Sequence, residues 1–193
     1  ETEKNESFVS LLNLLVLFAS ALIVYLVMFF IPLYLRKHEM KRAIGFLFYF
    51  SSLGMGFMIF ELVFIQKFTL FLANPVFSLA IVLASILMFS GVGSLLTQKI
   101  DVDGAVKKLK LIIASLSLLI LTFIFLMDHI FRLVHLDLLG KAIISILILV
   151  LPSALMGMPF PVGMKAVKEL SPKLIPWMWG INGITSTLGG VAS

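Results

Sequence analysis

Cysteine is absent from this 193-residue chain, which excludes disulfides, thiolate metal sites, iron–sulfur clusters and cysteine nucleophiles. Charge is scarce as well. Asp, Glu, Lys and Arg make up 13% of the residues, against about 25% in a soluble domain. The alternating segments of roughly ten residues that build a membrane barrel are missing, and the aliphatic runs are continuous. No basic face is interleaved with aromatics, so the net charge of +5 is no footprint for nucleic acid. The positive residues stand at the ends of apolar runs, where anionic lipid headgroups are the natural counter-charge. His129 and His135 are six apart and do not share a helical face as an i, i+4 pair would, so they make no metal motif. No nucleophile–base set, phosphate loop or pair of acids is legible. The expectation is a chain with no catalytic centre and no cofactor.

What is present is grease. Hydrophobic residues make up 61% of the chain and the mean hydropathy is +1.14, while a bilayer-spanning helix needs roughly 20 apolar residues. Cutting at the charges gives six apolar segments, at about 8–35, 43–64 (or on to 72), 75–97, 111–127, 142–162 and 176–193. These predict an all-α polytopic membrane bundle of about six helices. The whole of 1–193 would be a single transmembrane domain, with one half of a major-facilitator-like arrangement as a candidate architecture.

Arg36, Lys37, Lys41 and Arg42, then Lys99, Lys107, Lys108 and Lys110, then Lys165, Lys168 and Lys173 occupy alternate connections. They hold eleven of the fifteen basic residues. Their placement puts those connections in the cytoplasm and the N-terminus outside, in a prokaryotic inner membrane. The first apolar run follows the acidic ETEKNES and is too long for a signal peptide, so it reads as a true span. The last segment ends without a flanking charge or aromatic anchor and the chain starts without methionine, so a fragment of a longer protein is expected.

One stretch, residues 53–66 (LGMGFMIFELVFIQ), places a lone carboxylate, Glu61, inside an apolar run. An ionised acid at the bilayer centre costs about 2.5–3.5 kcal/mol on insertion scales. Glu61 is therefore either a proton- or cation-handling group or a buried polar tie, with Gln66 or Lys67 of the same segment as partner. Glu61, Gln66 and Asn182 form the candidate intramembrane polar site. Small residues predict close helix approach: Gly54 and Gly56 in the second segment, and Ala80, Ala84 and Gly91 on one face of the third. Pro152, Gly157, Pro159 and Pro161 predict a kink and then a helix break in the fifth segment. Such a break either lines a substrate site or simply ends the span. In the sixth segment Trp177 and Trp179 suit the headgroup belt. Gly183 with Thr187, and Ser186 with Gly190, have the small-xxx-small spacing of packed helices.

Several of these residues also carry a resemblance. Gly54, Gly56, Glu61, Gln66, Asn74-Pro75 and Gly91-x-Gly93-Ser94 are similar to the membrane region of multi-pass spermidine synthase-like proteins. So are the later runs Met156-Gly157-Met158-Pro159-Phe160-Pro161 and Pro176-Trp177-x-Trp179-Gly180-Ile181-Asn182-Gly183. The likeness covers about residues 43–193. It implies a major-facilitator-like membrane part that anchors or works with a soluble aminopropyltransferase-like domain. In that family the transfer chemistry belongs to the soluble domain, whose glycine-rich loop and catalytic aspartates are not found here, so no catalytic residue carries over. Two other functions stay open: a transporter or carrier half with Glu61 as the coupling residue, and a structural subunit of a larger membrane complex.

Overall fold

The computed structural model describes residues 2–35, 37–99, 105–133 and 136–192, and among these there is no strand. In chain order the helices are α1 (Thr2–Leu35), α2 (Lys37–Leu72), α3 (Pro75–Leu96), α4 (Ala105–Leu133), α5 (Leu138–Gly157), α6 (Pro159–Leu170) and α7 (Ile175–Ala192). Single 3₁₀ turns, Thr97–Lys99 and Pro172–Leu174, follow α3 and α6. Among the described residues, Phe8–Met28, Ala43–Leu72, Pro75–Lys99 and Leu138–Leu170 are long and apolar enough to cross a membrane.

Three charged stretches expected as loops are largely helical. Residues 37–42 form the first turns of α2 rather than a loop, because Lys, Glu, Met and Arg end an apolar run without ending a helix. The basic stretch after the fifth segment is mostly α6, and the segment from Asp128 begins as the last turns of α4. Residues 100–104 and His135 lie outside the described residues.

Chain reversal between α2 and α3 is built locally. Ala73 takes a φ of 52°, and Asn74 then caps α3, its Oδ1 accepting from the amides of Val76 and Phe77 at 3.1 and 3.2 Å. Pro75 opens the helix where no amide is needed. Asp137 does the same for α5, accepting from the Gly140 amide at 3.1 Å.

The helices gather into two compact units, Glu1–Ile59 with Val167–Ser193, and Phe60–Ala166. In the first, Gly54 of α2 lies against Asn182 of α7, and one turn on Met58 lies against Gly190. The two helices therefore run in the same direction. α1 meets this pair through a 3.3 Å hydrogen bond shared by Tyr25 and Ser51 and through Met28 on Gly180. Its side chains from 8 to 20 are all exposed.

In the second unit, Ser90 of α3 lies against Gly157 of α5, and about two turns on Thr97 and Gln98 meet Lys165. This pair is parallel too. Phe60, Phe64, Phe68 and Phe71 of α2 are all buried and recur every three or four residues, so they share one helical face. Phe64 meets Phe123 edge-on at 6.0 Å, and Phe71 stacks on Phe131 at 4.2 Å. The Lys141 ammonium stands 5.4 Å over the Phe71 ring.

Candidate functional site

Glu61 lies on α2 in the second unit, half-buried beside the phenylalanine stripe. Among the described residues its carboxylate has no hydrogen bond or ion pair. Gln66, five residues on, is exposed. That spacing turns it about 140° around the helix, so it does not serve Glu61. Asn182 is half-buried on α7 and belongs to the first unit. The three candidate polar residues are therefore not gathered into one site within either unit.

Asn182 instead sits in a helix crossing. Its backbone carbonyl accepts from Thr185 Oγ1 at 3.1 Å and from Ser186 Oγ at 2.8 Å. Ser186 Oγ also reaches the Gly54 carbonyl across the crossing at 3.1 Å. A Cβ on Gly54 would strike the Asn182 carbonyl and both hydroxyls. Backbone approach of this kind is what glycine permits. The hydroxyls spend themselves on carbonyls of the same crossing, so the seam fastens helices and leaves little to offer a ligand.

Packing picks among the small residues. Gly54 is enclosed, whereas Gly56 has nothing within 4 Å; Gly190 meets Met58, whereas Gly183 meets nothing. In α3 the expected face is corrected. Ala80, Ala84 and Gly91 are exposed, and the packed face carries Ser78, Val82, Ser85, Ile86 and Gly93. A Cβ on Gly93 would strike the Ala154 carbonyl, and one on Gly157 would strike the Ser90 carbonyl. Both obstacles are backbone atoms, and no side-chain rotation relieves them.

Pro152 lies inside α5, which continues through it to Gly157. The chain bends at Met158 and α6 starts at Pro159. Pro159 and Pro161 bring no amides to the carbonyls of Leu155 and Gly157. Leu155 accepts instead from Met158 at a long 3.3 Å, and Met158 accepts from Val162 at 3.4 Å.

Two turns into α6, Lys165 donates to the carbonyls of Thr97 and Gln98 at 2.8 and 2.9 Å. These groups end α3, where carbonyls lack helical partners and the dipole is negative. Reading the sequence placed Lys165 only among the cytoplasmic cations. The signal for its role is a lysine following closely on a proline-broken helix, a pattern that becomes specific only once α3 is beside it.

Among the described residues no three His, Asp or Glu side chains gather as a metal would require. The chemistry at hand among the described residues is that of one lone carboxylate, crossing hydroxyls bound to backbone, the buried Ser78 and Ser153 hydroxyls with no hydrogen-bond partner, and a lysine holding a helix end. Compared with protein-family models, with curated proteins and with solved structures, the chain finds no match in any of the three.

Proposed function

We propose that this chain is the membrane module of a spermidine synthase-like protein, anchoring or working with a soluble domain and carrying no catalytic centre of its own. It crosses a prokaryotic inner membrane six times, in an arrangement like half of a major facilitator, with its N-terminus outside. Its basic connections meet anionic headgroups on the cytoplasmic face. The observation that carries the reading is how the polar groups at two helix contacts are used. Hydroxyls at the α2–α7 crossing and the ammonium of Lys165 are committed to backbone carbonyls, which is the chemistry of fastening. The resemblance of its motifs to the membrane region of those proteins supports the family, and the one-sided basic connections support the orientation.

The test is direct. In proteoliposomes given an aminopropyl donor and a diamine acceptor, the purified chain should give no more transfer than protein-free vesicles. Turnover above that level would overturn the reading.

A second reading has its own observation. Glu61 is half-buried on an apolar helix and makes no hydrogen bond among the described residues, as a proton- or cation-coupling group in a carrier would. Under it, Glu61→Gln abolishes proton-coupled uptake into vesicles while the protein still folds. Uptake that survives the substitution removes Glu61 from that role.

A further inference from the structure

We infer that residues 159–166 form a hinged strap, with Met158 as the hinge and Lys165 as the catch that holds it to the end of α3. The hinge rests on missing and stretched bonds. Pro159 and Pro161 bring no amide to the helix, and the two bonds at Met158, at 3.3 and 3.4 Å, are long for an N–H···O pair. On the α5 side, Gly157 presses directly on Ser90, so α5 is fixed to α3 up to the bend.

Beyond the bend, Lys165 supplies the polar hold. Its ammonium donates to two carbonyls at 2.8 and 2.9 Å, and charge-assisted bonds of this length are the strong ones. The strap also buries Pro159, Val162 and Gly163, so opening bares apolar surface and two backbone carbonyls together. Closing is favoured by burial and by the catch. Opening is made cheap at the hinge, since few helical bonds there have to break. The strap is independent of whether the module anchors a soluble domain or carries a solute.

Hydrogen exchange on the full chain in lipid nanodiscs tests this. In Lys165→Ala the amides of 162–166 should exchange about tenfold faster or more, the scale of a charge-assisted bond lost. Amides of α5 before Pro152 should stay unchanged. Lys165→Arg should remain within about twofold of the parent, since a guanidinium can donate to the same carbonyls. Adding Pro159→Ala and Pro161→Ala to Lys165→Ala returns the missing donors and should slow exchange again. Unchanged exchange in Lys165→Ala, equal acceleration throughout α5, or no recovery on removing the prolines would each overturn the strap. Should Lys165→Ala not fold, Lys165→Gln gives the same readout, with an acceleration between those of Arg and Ala.

Discussion

At the scale of single residues, each packed glycine has a nearby control. Gly93→Ala places a methyl group against the Ala154 backbone. It should destabilise the chain by about 1–3 kcal/mol, the usual cost of overpacking, read as a lower unfolding midpoint in detergent. Gly91→Ala, with nothing within 4 Å, should be neutral or gain about 0.5–1 kcal/mol from helix propensity. Gly54 and Gly56 should split in the same way. Ala73, with its φ of 52°, sits where an L-residue pays about 1–2 kcal/mol; Ala73→Gly should raise the midpoint. The sequence announced that α2 and α3 carry small residues for close approach, but it did not say which. A glycine states that a backbone can come near, and only the neighbouring helix decides where it does. Ala80, Ala84 and Gly91 share a face as neatly as Ser78, Ser85 and Gly93, yet only the second set is packed.

At the scale of elements, the break between the second and third segments was legible, and most other helix ends and faces were not. Asn74-Pro75, read from the sequence only as part of the resemblance and at the break between segments, is a cap and a first-turn proline in the structure. Asn74→Ala should cost about 1 kcal/mol, again read from the unfolding midpoint. The charged stretches misled because charge marks where an apolar run stops, and lysine-rich turns remain good helix. The phenylalanine stripe of α2 was hidden for a different reason. Its spacing is in the sequence, but every flanking residue is apolar too, so periodicity does not separate the inner face from the outer. In water a polar outer face would have drawn the contrast; here Val63 and Leu70 are exposed beside buried Phe64 and Phe68. Glu61 was legible as the odd residue of its helix, while its lack of a hydrogen bond or ion pair among the described residues needed coordinates.

At the scale of the whole molecule, the missing cysteine becomes an instrument. Single cysteines can be placed without first removing others. Leu136→Cys and Ser171→Cys precede α5 and follow α6, and should react with a membrane-impermeant maleimide from opposite faces, Ser171→Cys from the cytoplasmic one. Labelling of both from one side would overturn the proposed six-span topology.

The bare first half of α1 carries a consequence of its own. Around residues 8–20 no side chain of the chain itself marks an inside, so nothing there fixes the azimuth of the helix. Among the described residues, it is the second half, with the Tyr25–Ser51 bond and the seat of Met28 on Gly180, that holds the rod against rolling about its long axis. Oxygen collision rates at spin labels walked along that half should be flat, whereas along α3 they should rise and fall once per turn.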